Sequence, residues 1–285
     1  MRDAWRSYDP IAETYARIAE GYYFAKPARA LLSLLDPAPG SRVLDVGTGT
    51  GVVAALAVHL VGPGGLVVGL DPAVGMLRAL RKRCSAEAVV GVLPLLPHPE
   101  ASFDAIAAAF VLTHVSDYGG ALDAMVKALR PGGRLAISAW GTSPSSTPPG
   151  EAWQVVVREF ISHETLQAAL GEALPWEERF SDPMFLEAAL RVAGLTDTRV
   201  DQLKYPVAMA TDAFVESRLI SLPSRFMESV LPAREWRRFT EEASHRLAEA
   251  FGSQLCFEVR VNLGVGTKCA AEHSVVGRTA TEMRK

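Results

Sequence analysis

The chain has 285 residues, of which 49% are hydrophobic and 21% charged, and its formal net charge is only −3. This composition is typical of a well-buried globular protein and excludes an extended disordered chain. Nucleic-acid binding requires clustered Lys and Arg, and no long basic face occurs, so we expect no nucleic-acid partner.

The positions of the cysteine, histidine and apolar residues restrict the class of protein further. The three cysteines (Cys84, Cys256 and Cys269) are scattered, so neither a disulfide framework nor a zinc site is predicted, and we expect a cytoplasmic location. The six histidines form no HxH or HxxxH pair, so we predict no metal site. The most apolar stretch, residues 52–70, is interrupted by His59 and a Gly-Pro turn, and we therefore expect no membrane span.

The first half of the sequence alternates helices with short apolar strands. A helical segment over residues 10–35 precedes a turn at 37–40. We then predict strands over residues 43–46, 66–70, 88–93, 103–110 and 134–140, and helices over 52–60, 73–84 and 120–129. Strands that alternate with helices of this length predict βαβ units, right-handed crossovers and a parallel sheet.

The regular alternation ends in the second half. Residues 141–150 are all Gly, Ser, Thr or Pro and predict a linker or mobile loop. We predict helices over residues 151–180, 183–193 and 211–252, strands over 198–205 and 255–267, and a fraying tail from residue 270. A single core with two inserted helical pieces explains the length better than two separate domains.

The most informative motif is VLDVGTGTG at residues 43–51, where a strand passes into a helix. Glycines at such a turn let the backbone bend sharply and approach a ligand closely. A dinucleotide fold needs G-x-G-x-x-G, but Val52 stands where the third glycine should fall. A P-loop needs Gly-Lys-Ser/Thr at the helix entry, and Val52 and Val53 exclude that interpretation too.

Two carboxylates flank this turn. Asp45 precedes the glycines and would repel a pyrophosphate, but it suits a positively charged ligand such as the sulfonium and α-ammonium of S-adenosylmethionine. Capping of the following turn is the alternative role of Asp45. Asp71 closes the second strand, where an acidic side chain can accept hydrogen bonds from both hydroxyls of a ribose.

Five motifs in order carry a family resemblance: VLDVGTGTG (43–51), VVGLDPAVGML (67–77), LPHPEASFDAIAAAF (96–110), LTHVSD (112–117) and ALRPGGRLAIS (128–138). From about Tyr8 to Trp140 the chain resembles class I S-adenosylmethionine-dependent methyltransferases of the small-molecule, ubiquinone/menaquinone-methylase-like group. The resemblance implies a Rossmann-like α/β fold with helices on both faces of a seven-stranded, mostly parallel sheet, an antiparallel last strand and helical lid insertions. S-adenosylmethionine would be the methyl donor and S-adenosylhomocysteine the product.

The resemblance also implies which residues contact the cofactor. They are Tyr15, Asp45, Gly47, Thr48, Gly49, Asp71, Pro72, Met76 and Phe110, with Pro72 and Met76 beside the adenosine and Phe110 at the methionine moiety. Tyr15 falls on an N-terminal aromatic that folds over the cofactor, although ordinary helix packing is an equal alternative for it.

One position departs from the family pattern. The family usually places an acidic residue after the third strand to accept a hydrogen bond from the adenine amine, and Val92 stands there. The backbone amide of Leu93 could still serve a ring nitrogen. We therefore expect cofactor affinity to be weakened by on the order of 1 kcal/mol, without loss of activity.

His114 follows the fourth strand and is the candidate general base, although packing beside the cofactor is the alternative. We expect methyl transfer to a small, apolar or aromatic metabolite, in a monomer or homodimer. The alternative is a methyltransferase-fold protein that binds the cofactor without catalysis.

The expected organisation follows the motifs along the chain. It comprises an N-terminal lid (1–36), an S-adenosylmethionine-binding core (37–140), a helical insertion (141–185), further core (186–208), a helical lid insertion (209–254), a final core strand (255–269) and a tail (270–285).

Overall fold

A computed structural model describes residues 4–142 and 144–270 of the chain. Most of the predicted fraying tail therefore lies outside the described residues.

Twelve α-helices and seven strands form the described part of the chain. The helices are α1 (Ala12–Ala19), α2 (Ala25–Leu35), α3 (Val52–Val61), α4 (Val74–Arg83), α5 (Tyr118–Ala128), α6 (Pro148–Phe160), α7 (His163–Ala173), α8 (Glu177–Phe180), α9 (Pro183–Val192), α10 (Thr211–Leu219), α11 (Leu222–Val230) and α12 (Ala233–Phe251). The strands are β1 (Arg42–Val46), β2 (Leu66–Asp71), β3 (Glu87–Val90), β4 (Phe103–Ala109), β5 (Leu129–Thr142), β6 (Leu195–Ala210) and β7 (Gln254–Lys268).

All seven strands join one sheet in the order β3-β2-β1-β4-β5-β7-β6. Strands β1 to β5 pair in parallel, whereas β7 lies between β5 and β6 and runs antiparallel to both. The predicted mostly parallel sheet with an antiparallel last strand is confirmed. Its order reverses at β1, where β2 lies on one side and β4 on the other, and open α/β sheets bind ligands at such a point.

Helices cover both faces of the sheet because the side chains of each strand alternate between them. On β1, Val43 packs in a cluster with α2, α3 and α4. Its neighbour Leu44 packs in a second cluster with α5 and α9. Both residues are fully buried. Such two-sided burial explains the nearly continuous apolar runs that predicted the parallel strands.

The β6–β7 ladder is much longer than the sequence predicted. It continues to the pair Ala210–Gln254, whereas β5 pairs with β7 only as far as Arg260. Along this extension Tyr205 and Val207 alternate with exposed residues, as a half-buried strand requires. The prediction of a strand limited to residues 198–205 is therefore wrong at both ends.

Local capping explains two further differences at element boundaries. Asp117 accepts a hydrogen bond from Gly120 N at 2.8 Å, so α5 begins two residues before its predicted start. Thr147 caps α6 in the same way, and α6 begins at Pro148. The predicted linker at residues 141–150 is therefore wrong at its ends, because β5 and α6 enter it from either side.

The helices that follow β5 and β6 pack against one another. Trp153 on α6 and Phe239 on α12 meet edge to face, with ring centres 5.3 Å apart. Helix α11 packs on α7 and on the short turn at residues 4–6. In the described part of the chain, no helix combines the length and the apolar character needed to cross a membrane.

Candidate functional site

The glycine-rich turn after β1 occupies left-handed backbone conformations. Gly47 has a φ of 65° and Gly49 a φ of 54°, which residues with a Cβ rarely adopt. A Cβ on Gly47 would lie 2.5 Å from Cγ2 of Val111, so this glycine is required by the close approach of the β4 loop. A Cβ on Gly49 would meet no protein atom within 4 Å. The turn is therefore closely packed at Gly47 and open at Gly49.

Asp45 is buried beneath this turn with one carboxylate oxygen unused. Its Oδ2 accepts hydrogen bonds from Thr48 Oγ1 at 2.6 Å and from Ala54 N at 3.0 Å. Its Oδ1 is buried and has no hydrogen-bond partner among the residues that the structure describes. Burial raises the pKa of Asp45 to about 7, and the hydrogen bonds from Thr48 and Ala54 oppose that shift. A ligand that donates a hydrogen bond and carries positive charge would satisfy Oδ1 and favour the ionised form.

Asp71 at the end of β2 connects the turn to the neighbouring strand. Its Oδ2 accepts from Gly49 N at 2.9 Å, and its Oδ1 accepts from Ala73 N at 2.8 Å. Burial raises the pKa of Asp71, although these two hydrogen bonds lower it. Each carboxylate oxygen can accept a second hydrogen bond, so Asp71 can still bind a pair of hydroxyl groups.

A cavity of about 110 Å³ lies at the carboxyl ends of β1 to β4. It is lined by Val46, Gly47, Leu70, Pro72, Gly91, Val92, Leu93, Val111, His114 and Val115. The cavity thus brings together five of the predicted site residues. The side chain of Val92 is 56% exposed, whereas Leu93 is buried. Apart from His114, no titratable side chain lines the cavity.

Aromatic rings form a continuous row beside the glycine turn. Phe110, immediately after β4, has a φ of 55°, an unusual conformation for a bulky residue and one that often marks functional sites. Its ring centre lies 4.5 Å from that of Trp140 and 5.1 Å from that of Phe24. Phe24 also stacks on Tyr15 at 5.5 Å. Tyr15 and Phe110 were predicted, but Phe24 and Trp140 were missed because no motif marks them.

The N-terminal segment lies over the start of α4. Asp9 Oδ1 accepts a hydrogen bond from Gly75 N, in the first turn of that helix. Tyr8 and Tyr15 pack against a small buried cluster of Ala12, Ala73 and Met76. The structure thus places Tyr15 and Met76 in one small cluster that covers the helix start beside Asp71.

His114 lies next to the same segment, on the exposed side of the cavity wall. Its ring centre lies 5.8 Å from that of Tyr8, and the two rings meet edge to face. Desolvation by the neighbouring side chains, followed by the charge of Arg225, lowers the pKa of His114 below its usual value. The imidazole is therefore neutral at neutral pH, which leaves it able to accept a hydrogen bond but makes it a weak base for a protonated acceptor.

Arg225 on α11 lies next to the candidate site, although no sequence motif marks it. It is buried, and its guanidinium carbon lies 5.1 Å from the centre of the Tyr8 ring. Its Nη2 donates a hydrogen bond to the carbonyl of Ser7. A single arginine in an amphipathic helix carries no sequence signal of burial, so only the fold brings it to this place.

The aromatic side chains of the inserted helices mostly pack together. Phe160 and Trp236 both contact Phe239, with ring centres 5.4 and 5.3 Å apart. Trp176 donates a hydrogen bond from Nε1 to Ser116 O at 3.0 Å. These contacts are those of helix packing.

The site fits S-adenosylmethionine by the chemistry of its donor and acceptor groups. The unused Oδ1 of Asp45 suits a cationic donor, Asp71 suits a ribose, and the apolar cavity suits a base. Across residues 4–142 and 144–270, no group of three or more His, Cys, Asp or Glu side chains could hold a metal ion.

Comparisons with known proteins agree with this geometry. A family model described as a methyltransferase domain matches residues 44–137. A nocamycin O-methyltransferase from Saccharothrix syringae is 33% identical over 208 residues, which cover 67% of this chain and 72% of that relative. The chain belongs to the class I S-adenosylmethionine-dependent methyltransferases. It falls in their ubiquinone/menaquinone-methylase-like group, it is an enzyme, and S-adenosylmethionine is its cofactor.

Two further matches place this methyltransferase more broadly. A demethylmenaquinone methyltransferase from Mycobacterium sp. (strain KMS) is 33% identical over 156 residues, covering 55% of this chain and 62% of that protein. A solved structure of Haemonchus contortus phosphoethanolamine N-methyltransferase 2, with phosphomonomethylethanolamine and S-adenosylhomocysteine, has a TM-score of 0.57. At 17% identity over 94% of this chain and 59% of that chain, this likeness supports the fold alone.

Proposed function

We propose that this enzyme transfers the methyl group of S-adenosylmethionine to a small, apolar or aromatic metabolite by in-line displacement. One observation carries the proposal: a buried carboxylate with an unused oxygen lies under a glycine turn that borders a row of aromatic rings. The turn and the row are joined directly, because Val111 packs against Gly47 and follows Phe110 in the chain.

The proposed cofactor contacts follow from the polar groups of the site. Asp45 would bind the α-ammonium group, directly or through water, and Asp71 the ribose hydroxyls. The cavity that contains Pro72, Val92 and Leu93 would take the adenine. When bound, the cofactor supplies an activated methyl group on a positively charged sulfur.

The remaining proposed roles are those of positioning and water exclusion. Phe110 would contact the methionine moiety, and Tyr15 would cover the cofactor from the N-terminal side. Displacement at the methyl carbon depends mainly on alignment of the reacting atoms, so rigid apolar walls are an effective contribution from the protein. The rings of Phe24 and Trp140, whose centres lie 5.9 Å apart, would provide such walls and exclude water.

The apolar acceptor is supported by the character of these walls. Tyr15, Phe24, Phe110 and Trp140 form the row, and the nearby Tyr23 is buried. The relatives also support a small-molecule acceptor, because one is named a nocamycin O-methyltransferase and another a demethylmenaquinone methyltransferase. The non-catalytic alternative has no specific observation in its favour.

The general-base role of His114 stays a proposal, with a direct test. A His114→Ala variant should lose turnover by more than about tenfold if the imidazole removes a proton in the chemical step. Unchanged turnover, with unchanged affinity for S-adenosylhomocysteine, would assign His114 to packing.

Labelled methyl transfer tests the proposed acceptor class. The enzyme is incubated with methyl-labelled S-adenosylmethionine and a panel of phenols, quinols and small apolar acids, and the products are extracted into organic solvent. We expect enzyme-dependent label in the organic phase. Label found only in protein, nucleic acid or water-soluble amines would contradict the proposal.

A further inference from the structure

One buried cation of the site has no role in the chemistry described so far. Arg225 is only 7% exposed. Its Nη2 donates a hydrogen bond to the Ser7 carbonyl, but its Nη1 is buried without a hydrogen-bond partner in the described part of the chain. Among the residues that the structure describes, no carboxylate forms an ion pair with Arg225.

Arg225 lies close to the candidate site and is linked to the cavity wall through two successive aromatic contacts. Its guanidinium carbon lies 5.1 Å from the ring centre of Tyr8, which lies 5.8 Å from that of His114, a residue of the cavity wall. The charge of Arg225 also reaches these groups: desolvation raises the pKa of Tyr8 and lowers that of His114, and Arg225 opposes the first shift and adds to the second.

The known contacts of Arg225 leave part of its side chain unexplained. The face of the guanidinium contacts the Tyr8 ring, and Nη2 donates a hydrogen bond to the Ser7 carbonyl. These two contacts attach α11 to the N-terminal segment. A buried donor on a charged group is costly when unpaired. A ligand oxygen that pairs with Nη1 would remove that cost, and guanidinium groups suit oxyanions in particular.

We propose that Arg225 is the counter-ion of an acidic methyl acceptor, whose oxyanion accepts a hydrogen bond from Nη1. This inference rests on the proposed function and narrows its acceptor from an apolar metabolite to an apolar acid, with either a carboxylate or an ionised enol. It also agrees with the state of His114. An acceptor that arrives ionised has no proton for the protein to remove, so its methylation needs no general base.

Binding measurements on the full chain loaded with S-adenosylhomocysteine test this inference without any turnover. One arm compares naphthoate with naphthamide by calorimetry. The other compares dimedone, a diketone ionised at neutral pH, with its monoketone analogue. We expect at least one acid to bind about tenfold more tightly than its neutral partner.

Variants assign that preference to Arg225. Arg225→Met should abolish it, and Arg225→Lys should retain part of it, because a lysine keeps the charge but not the planar fork. Arg225→Gln provides a second neutral variant in case the methionine variant fails to fold. Arg234→Met, at an exposed position on the neighbouring helix α12, is the matched control and should keep the full preference.

Two results would overturn the inference: equal binding of acid and neutral partner in both arms, or a preference that survives in Arg225→Met and Arg225→Gln. The affinity of each protein for S-adenosylhomocysteine distinguishes these two results from a failure of the proposed function and from a displaced N-terminal segment. If the wild-type chain does not bind S-adenosylhomocysteine, the proposed function itself fails. If the cofactor binds normally in every variant, loss of acid preference cannot be attributed to a displaced N-terminal segment.

Discussion

At the scale of single residues, the account depends on a carboxylate that the fold buries at an energetic cost. The pKa of Asp45 is raised to about 7 in the folded protein, above the value of about 4 for an unperturbed Asp. The native state therefore binds more protons than the unfolded state between these values. Consequently, the contribution of Asp45 to the free energy of unfolding falls as pH rises from about 4 to about 7.

Asp45→Asn should remove this pH dependence. The difference in free energy of unfolding between the variant and wild type should shift in favour of the variant from pH 4 to pH 8. We expect a shift on the order of a few kcal/mol. Urea unfolding at both pH values, without cofactor, measures the difference. If the two proteins keep a constant stability difference across this range, Asp45 does not have a raised pKa.

Val92→Asp tests the alignment of the adenine site. Restoring the acidic side chain that the family usually carries should add a hydrogen bond worth about 1 kcal/mol, or about fivefold in affinity for S-adenosylhomocysteine. Val90→Asp is the matched control, because Val90 is 60% exposed on β3 but does not line the cavity. An unchanged dissociation constant for Val92→Asp would show that Val92 does not face the adenine.

Gly49→Ala separates cofactor binding from backbone strain. Gly49 and Gly40 both have positive φ values, 54° and 84°, and a Cβ on either would meet no protein atom within 4 Å. We expect both alanine variants to lose about 1–2 kcal/mol of stability. Only Gly49→Ala should also weaken cofactor binding, by more than about tenfold, since its methyl group would enter the open face of the turn.

Equal affinity for S-adenosylhomocysteine in these two glycine variants would show that the open face of Gly49 does not contact the ligand. Calorimetry on both variants, with thermal unfolding as the stability reference, provides the comparison.

At the scale of elements, the N-terminal segment is held to the core by a cap on α4. The N-cap residue of α4 makes no side-chain capping hydrogen bond. Asp9, from a distant part of the chain, accepts a hydrogen bond from Gly75 N instead. Asp9→Ala should therefore cost about 1 kcal/mol of stability and also release the segment from the site. We expect faster dissociation of S-adenosylhomocysteine, measurable by stopped-flow fluorescence.

Asp182→Ala is the matched control for this prediction. Asp182 caps α9 by accepting a hydrogen bond from Met184 N at 2.8 Å. Its loss should cost similar stability without changing cofactor dissociation. If both variants release the cofactor at the wild-type rate, the N-terminal segment does not act as a cover.

Local patterns predicted the parallel strands well and the length of β6 poorly. The strands β1, β2 and β4 are apolar on both faces, and their glycine and proline boundaries lie in the sequence itself. The extension of β6 depends instead on its partner β7, more than 40 residues later, so propensity alone could not define its length.

The candidate site shows the same division. Asp45, Gly47 and Asp71 belong to motifs whose residue types specify their chemistry. Phe24, Trp140 and Arg225 come from three separate elements, and only tertiary packing brings them to the site. Nothing in an isolated helix distinguishes Arg225 from the exposed arginines around it.

At the scale of the whole molecule, the central claim is that this turn binds a sulfonium amino acid rather than a phosphate chain. The sheet order, the two buried carboxylates and the relatives all support that claim.

The most direct test is a calorimetric titration of the full chain with S-adenosylhomocysteine and, separately, with a nicotinamide dinucleotide. The account predicts saturable binding of S-adenosylhomocysteine at one site per chain, at least about tenfold weaker in Asp45→Asn, and no binding of the dinucleotide. Saturable binding of the dinucleotide, without binding of S-adenosylhomocysteine, would contradict it.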